Sequence, residues 1–389
     1  MNRTYKFRLY PKDRQIVTME GWLYSLHNLY NAGLQQRIIA YRDNHRSQTY
    51  KKQANELPDL KMNLPEYKGI HSQVLQDCFR RLDKSYNNFF SRVKRGEKPG
   101  FPRFKSLSRY RSFTYPQSGF KILENGHLFL SGIGEMRMFK HRDVKGTVKT
   151  CTIKRDKVGT WWASFSTEME EPPRREVKNA IGIDMGLEKL LTVSDGSIFN
   201  NQRFLKTSER MRKRRQRTLS RKKKGSHNRK KARVKLAIED RKIENRRNDY
   251  LHKVSHDISE KADIIVFENL NIENMLKNHH LAKSILDASW GKLVQYTRYK
   301  VEETGGELVL VNPMYTSQTC SKCGAYAQKS LSDRIHICPN CGFVADRDWN
   351  ASLNILKIGW GTAEFKPVER GVQFVSQTQP FYESGSSLL

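Results

Sequence analysis

The sequence predicts a multidomain protein of mixed α and β structure, and three observations carry that prediction. Apolar and polar residues alternate over 3–10, and strand-like segments separated by turns fill 110–165. Apolar residues recur at helical spacing over 13–41, 71–93 and 282–303, and along the basic stretch 203–259. Two Cys-x-x-Cys pairs between 320 and 341 mark a small element of a different kind.

Arg3 to Tyr10 reads as a strand with one wet, positive face, ended by Pro11. The helix predicted from Asp13 to Tyr41 carries Trp22, Leu23, Leu26, Leu29, Tyr30, Leu34 and Ile38 on its apolar face. A second, from His71 to Val93, carries Val74, Leu75, Cys78, Phe79, Leu82 and Phe89. The apolar faces imply a helical core. The polar faces offer Gln73, Gln76, Arg80 and Lys84 to a nucleic acid, and Tyr50 in the polar link could join them. The loop Lys98-Pro-Gly-Phe101-Pro-Arg103-Phe104-Lys105 interleaves aromatic rings with cations, a composition suited to base stacking and phosphate neutralisation. Taken alone, it fits a basic hydrophobic turn equally well.

Strand signals at 112–115, 120–123, 127–130, 148–153 and 161–165 predict a small antiparallel β-barrel, which the amino-terminal strand would complete. Glu168 to Pro173 reads as a linker. A new domain opens with an apolar strand ending at Asp184, followed by a hairpin through Ser194-Asp-Gly-Ser197. Residues 203–259 are helical and one-signed in charge, with Arg214, Arg221, Lys222 and Lys223 in the densest part and a break expected at Gly225-Ser226. Such a run repels itself unless a polyanion lies along it. A buried strand ends at Glu268, and Leu308 to Val311 form a last strand. The stretch 361–389, rich in Gln and Ser without a sustained period, is expected to be disordered.

Cys320, Cys323, Cys338 and Cys341 have the arrangement of a four-thiolate Zn²⁺ site, each pair followed by glycine. Two redox pairs or disulfides are the competing reading, disfavoured in a chain with no secretory signal. Four thiolates leave no open coordination position, so the zinc would be structural and chemistry must lie elsewhere. A formal net charge of +31 is the footprint of a protein that meets a polyanion, with nucleic acid ahead of a membrane surface. No run of eighteen apolar residues exists to span a bilayer. These features predict a cytoplasmic, nucleoid-associated protein.

Asp184, Glu268 and Asp348 stand at two strand ends and one helix start. Converging carboxylates of this kind hold the two Mg²⁺ ions of phosphodiester hydrolysis. At these residues the chain resembles the RuvC-like nuclease of TnpB (OrfB) proteins, transposon-encoded RNA-guided endonucleases related to type V CRISPR effectors. The resemblance rests on Gly182-Ile-Asp184-Met-Gly186, Val266-Phe-Glu268-Asn-Leu270, the cysteine pairs and Asp346-Arg-Asp348-x-Asn350-Ala-x-x-Asn354. Tyr5 to Pro11, Gly100-Phe-Pro-Arg-Phe104 and Asp287-Ala-Ser-Trp-Gly291 extend it over nearly the whole chain. It implies a RuvC-like (RNase H-like) domain at 173–313 and 346–360 with a zinc ribbon inserted at 314–345. It further implies a wedge β-barrel at 1–10 and 106–172 and a helical recognition lobe at 11–105.

By the same resemblance, Asp184, Glu268 and Asp348 are the magnesium-binding catalytic acids, and the partners are a guide RNA from the transposon end and double-stranded target DNA. The close neighbour Asp346 is the rival for the third acid. A nuclease-inactive regulator on the same scaffold and a strand-joining transposase are the competing functions. The presence of all three acids favours cleavage over the first.

Overall fold

Alternation at the amino terminus becomes β1 (Asn2–Tyr10), in which Tyr5, Phe7 and Leu9 are buried while Lys6 and Arg8 face solvent. The computed structural model describes residues 1–330 and 333–362, which fall into two units, one ending at Glu170 and the other beginning at Glu171. The expected tail lies, from residue 363 on, outside the described residues.

In the first unit β1 leads into α1 (Asp13–Asn44). Three short helices follow, α2 (Tyr50–Asn55), α3 (Leu57–Asn63) and α4 (Pro65–Lys68), then α5 (Ser72–Lys94). The strands β2 (Ser112–Tyr115), β3 (Phe120–Ile122), β4 (Leu128–Leu130), β5 (Gly134–Phe139), β6 (Thr147–Arg155) and β7 (Trp161–Glu168) complete the unit. With β1 they form one antiparallel sheet in the order β2-β6-β7-β1-β5-β4-β3.

The edges β2 and β3 do not pair with each other, so the barrel expected from the sequence is an open sheet. Helices take the place of closure. Trp22 of α1 sets its ring 5.5 Å from Phe113, and one buried cluster joins Leu26 and Leu75 to Tyr5, Phe7 and Phe165. The link after α1 is helical where polar composition suggested none. Buried Gln53 of α2 fastens it, accepting from Arg37 Nε at 2.9 Å and donating to the Gly33 carbonyl at 2.9 Å.

The second unit contains β8 (Ala180–Met185), β9 (Lys189–Val193), β10 (Ile198–Asn200), α6 (Phe204–Ser220) and α7 (His227–Lys261). Next come β11 (Ile264–Glu268), α8 (Ile272–Met275), α9 (His279–Ala288), α10 (Trp290–Glu303) and β12 (Glu307–Val311). A ribbon hairpin of β13 (Ile335–Ile337) and β14 (Val344–Asp346) precedes α11 (Arg347–Thr362). The five-stranded sheet runs β10-β9-β8-β11-β12, with β8, β11 and β12 parallel and β9 and β10 antiparallel to their neighbours.

Both faces of this sheet are covered, which is why β11 reads as an unbroken apolar run rather than an alternation. Ile265 and Phe267 pack with Leu251 and Val254 of α7 and Leu293 of α10. Ile264 and Val266 pack on the other side with Ile355 of α11. The single helix expected over 282–303 is two. Ser289 adopts a left-handed conformation (φ 56°) between α9 and α10, with its amide bonded to the Ile285 carbonyl.

Candidate active site and metal centre

Asp184 and Glu268 become neighbours through strand pairing. Ile183 of β8 is matched to Phe267 of β11 in parallel register, so the residues that follow lie side by side at the carboxyl ends of two central strands. α11 brings the third acid. Its backbone passes so close to β8 that a Cβ on Gly182 would lie 2.2 Å from the Ser352 carbonyl oxygen, so only glycine fits there. Asp348 sits in the first turn of that helix.

The electrostatics are those of crowded carboxylates. Burial pushes the Asp184 carboxyl well above its usual range, and the charges of Glu268 and Asp348 push it further. Burial likewise raises Glu268, against a hydrogen bond donated by the Thr316 hydroxyl to Oε1 at 2.6 Å. The Asp184 carboxyl makes no hydrogen bond or salt bridge among the described residues, while its backbone lies in the β8–β9 ladder opposite Thr192. Asp348 meets the Arg347 guanidinium at 3.1 Å. A site that concentrates buried negative charge suits a hard divalent cation bound by carboxylate oxygens. The three acids do not form one tight cluster. Among the described residues, only the cysteines make a group of donor side chains that all lie within 4.8 Å of one another.

Asp346, the rival for the third acid, is otherwise engaged. Its Oδ1 accepts from the Asp348 and Trp349 amides at 3.0 and 3.1 Å, capping α11, and its Oδ2 takes the Lys189 ammonium at 2.7 Å. Several positioning side chains had no role assigned from the sequence, although Asp287 and Trp290 stand in a motif that carries the resemblance. The Trp290 indole donates to the Gly186 carbonyl at 3.3 Å, and the Trp349 indole to the Ser194 carbonyl at 3.1 Å. Asp287 accepts from the Leu205 amide at 2.9 Å and from Arg247 at 2.6 Å, tying α9 to the basic hairpin of α6 and α7.

The four cysteines converge as their spacing predicts. Cys320 Sγ lies 3.7 Å from Cys341 Sγ, and Cys323 Sγ 3.5 Å from Cys338 Sγ. Four Zn–S bonds of roughly 2.3 Å at tetrahedral angles would set sulfurs about 3.8 Å apart, whereas a disulfide needs about 2.05 Å. The thiols therefore fit a metal and not a pair of disulfides. Gly324 and Gly342 close the knuckles in left-handed conformations (φ 78° and 66°). The Ala325 amide holds the Cys323 thiol down to about 6.

Packing within this ribbon is slight. Tyr315, Tyr326, Ile335, Ile337 and Val344 are exposed, Phe343 is half-buried against His336 and Trp349, and Ala327 and Ala345 are the small residues it buries. A buried large side chain contributes about 1.5–3 kcal/mol, and structural zinc about 10–16 kcal/mol. Zinc held by the four thiols would outweigh that packing.

The ribbon is also pinned to α11. Asn350 accepts from the Ser321 amide at 2.9 Å and donates to the Thr319 carbonyl at 2.8 Å. One turn on, Asn354 donates to the Thr316 and Thr319 carbonyls at 2.8 and 2.7 Å.

The expected nucleic-acid contacts divide into free and occupied residues. Arg214, Arg221, Lys222 and Lys223 are exposed on the α6–α7 hairpin, whose break spans 221–226. Arg103 and Phe104 are exposed as well. Phe101 packs edge-on to Tyr86 and Phe89, with ring centroids 5.7 and 5.4 Å away. Gln73 accepts from the Ser118 amide at 3.0 Å, and the Tyr50 hydroxyl accepts from Arg80 at 3.1 Å, so both have internal work. Gln76 is half-buried.

This architecture defines a class: a two-unit α/β protein with neighbouring carboxylates at the ends of two paired strands of a mixed sheet and a group of four converging cysteines. Comparison with known proteins gives the family. Residues 164–279 match the IS605 OrfB family described as "Probable transposase", and 290–355 match the "Cas12f1-like, TNB domain". Residues 1–46 match a family described as "Helix-turn-helix domain", although the structure there is β1 followed by the single helix α1. A "Putative RNA-guided DNA endonuclease" of Streptomyces pristinaespiralis is 34% identical over 92% of this chain and 90% of its own. The "Putative RNA-guided DNA endonuclease InsQ" of Escherichia coli K12 is 33% identical over 92% of both. The chain belongs to this TnpB (OrfB) family. Its fold is similar to that of the Cas12f1 chain in a Cas12f1–sgRNA–target DNA complex, with a TM-score of 0.58 at 14% identity, over 91% of this chain and 98% of that one.

Proposed function

We propose that this protein is a transposon-encoded, RNA-guided DNA endonuclease whose catalytic acids are Asp184, Glu268 and Asp348. The observation that carries the assignment is the juxtaposition of Asp184 and Glu268 on paired parallel strands, with Asp348 delivered by α11. The strand order β10-β9-β8-β11-β12, with β9 antiparallel to both β8 and β10 and the other pairs parallel, supports a RuvC-like fold for 173–313 and 346–360. We assign 314–345 as its zinc ribbon, 11–105 as a recognition lobe and 1–10 with 106–172 as the wedge. A cytoplasmic location suits these partners, and no helix among the described residues is long and apolar enough to cross a membrane.

Two Mg²⁺ ions held by the three acids would neutralise the charge gathering on the phosphate and supply an activated water. The chain's own contribution is to hold the carboxylates together against their repulsion. Gly182 admits α11, Asp346 caps it, and Thr316 fixes one oxygen of Glu268. The exposed cations of α6 and α7 supply phosphate contacts that are indifferent to sequence, leaving sequence to guide pairing.

The test is to express the protein with its native 3′ flank, purify the ribonucleoprotein, and assay cutting of a plasmid carrying the guide-matched target. Mg²⁺-dependent cutting that needs the RNA and disappears in Asp184→Ala, Glu268→Ala and Asp348→Ala is expected. Guide-dependent binding without cutting would make the protein a regulator, and cutting unaffected by RNA removal would overturn the guide.

A further inference from the structure

The segment 102–112 lines, with α1 and α5, an open cleft of about 390 Å³ that the catalytic reading does not use. Its lining holds Tyr30, Arg103, Phe104, Lys105, Arg109 and Tyr110, with Arg81 and Arg111, and contains no carboxylate. Five cations and three aromatic rings thus face one small space. The volume lies at the small end of ligand-sized cavities (roughly 300–1,000 Å³), enough for a single nucleotide and far too small for a duplex.

The cations differ in how they are held. Arg81 is spoken for, meeting Asp77 at 2.6 Å, the Ser112 carbonyl at 2.8 Å and the Thr114 hydroxyl at 2.6 Å. Lys105, Arg103 and Arg109 have no acidic partner among the described residues. Lys105 is the telling one. Its ammonium lies 3.8 Å from the centre of the Tyr30 ring, and burial, with Arg81 nearby, pulls its pKa down. A half-buried ammonium without a counterion is costly unless an anion joins it.

Its backbone is fixed in place. The Lys105 amide donates to Asn31 Oδ1 at 2.9 Å, and its carbonyl accepts from Asn31 Nδ2 at 2.9 Å and bonds to His27 Nε2 at 2.8 Å. Such a clamp prepares the side chain for a ligand instead of leaving it to solvent. Phe104, next in the chain, is 57% exposed and has no ring partner among the described residues, unlike Phe101.

We propose that this cleft holds one unpaired nucleotide of a single-stranded RNA, its phosphate against Lys105 and Arg109 and its base on the Phe104 ring. The proposal deepens the guide-RNA reading and rests on it. RNA is favoured over the DNA target because the space admits one nucleotide lifted out of a helix. Unpaired loops and bulges of structured RNA offer such nucleotides before any target is bound, whereas DNA offers them only after guide pairing has displaced a strand. Aromatic stacking with a neighbouring cation is the chemistry that captures them.

The experiment uses the ribonucleoprotein purified with its native 3′ flank. Ultraviolet crosslinking followed by mass spectrometry should place an RNA adduct within 102–112. Affinity for the stripped and refolded RNA is then measured against salt for wild type, Lys105→Gln, Lys105→Arg and Phe104→Ala. Lys105→Gln should weaken binding about tenfold and flatten the log–log salt slope by about 0.7, the increment for one single-strand phosphate contact. Lys105→Arg should restore the slope. Phe104→Ala should weaken binding with the slope unchanged, since it removes stacking and no charge. A purely structural role for Lys105 would lower the melting temperature without moving the slope, and that result overturns the proposal. So does an adduct confined to other segments, or an equal response with a DNA strand of the same sequence. Absence of any copurifying RNA would instead defeat the guide-RNA reading itself, so the two failures are distinguishable.

Discussion

The Thr316 hydroxyl donates to Glu268 Oε1 at 2.6 Å, and so joins the segment leading into the four-cysteine site to the Glu268 carboxylate. Thr316 is held in turn, because its carbonyl accepts from Asn354 Nδ2 at 2.8 Å. The path from the metal knuckle to Glu268 is therefore continuous. Asn350 bonds to Ser321 beside Cys320, Asn350 and Asn354 share the Thr319 carbonyl, and Asn354 holds Thr316. The four-cysteine site thus has a mechanical link to the site where the chemistry is assigned.

Thr316→Val tests that link. A hydrogen bond to a charged acceptor contributes about 1.5–3 kcal/mol, so its loss should slow cleavage about tenfold or more. Removing the donor also removes what holds the Glu268 pKa down, so the acid limb of the pH–rate profile should move to higher pH. Thr316→Ser should behave as wild type, and zinc content should stay the same in both. An unchanged pH–rate profile in Thr316→Val would leave the link without consequence.

The third acid can be separated from its neighbour by two readouts. Asp346 caps α11 and pairs with Lys189, so Asp346→Ala should cost about 1 kcal/mol of stability while cleavage largely survives. Asp348→Ala should abolish cleavage with little effect on the melting temperature. The reverse pattern would give the catalytic role to Asp346.

Residues fixed by local chemistry were legible in the sequence, and those fixed by the meeting of distant segments were not. The cysteine spacing announced the metal knuckles, and the apolar runs before Asp184 and Glu268 announced central strands. The reason for Gly182 became visible only when α11 was seen to lie 2.2 Å from where its Cβ would be. Asn350 and Asn354 stood out as a pattern, yet their partners Thr319, Thr316 and Ser321 lie about thirty to forty positions away, beyond any periodicity. The β-barrel was misjudged for a related reason. Strand alternation shows which side chains face inward, but not that α1 and α5 cover them in place of a closing strand. The helices α2 to α4 escaped because each is a turn or two long, shorter than a periodic signal needs.

Zinc removal should act locally first. In Cys338→Ser, metal analysis should give less than the one zinc per chain expected of wild type, and amide exchange should rise across 314–346. Amides of β8 and β11 lie in the covered sheet and should stay protected. If exchange in the ribbon is unchanged when zinc is lost, packing rather than metal holds it.

The last prediction concerns pH. Asp184 has a folded-state pKa raised by burial and by Glu268 and Asp348, so the folded chain binds its proton more tightly than the unfolded chain does. Glu268 is raised in the same direction by burial. Without divalent metal, the contribution of these two groups to stability should therefore be greatest below the unfolded carboxylate range, about 4. It should fall as pH rises until both groups are ionised in the folded state as well. A cation bound by the carboxylates opposes that repulsion, so Mg²⁺ should raise the melting temperature more at pH 8 than at pH 5. Binding should also release protons at the lower pH, which calorimetry in buffers of different ionisation enthalpy detects. Asp184→Asn removes the largest titrating contribution and should flatten the pH dependence of stability while raising the metal-free melting temperature near neutrality. A metal-free protein whose stability does not fall between pH 5 and pH 8, or whose Asp184→Asn variant is less stable at pH 8, would show that these carboxylates do not repel one another as the geometry requires.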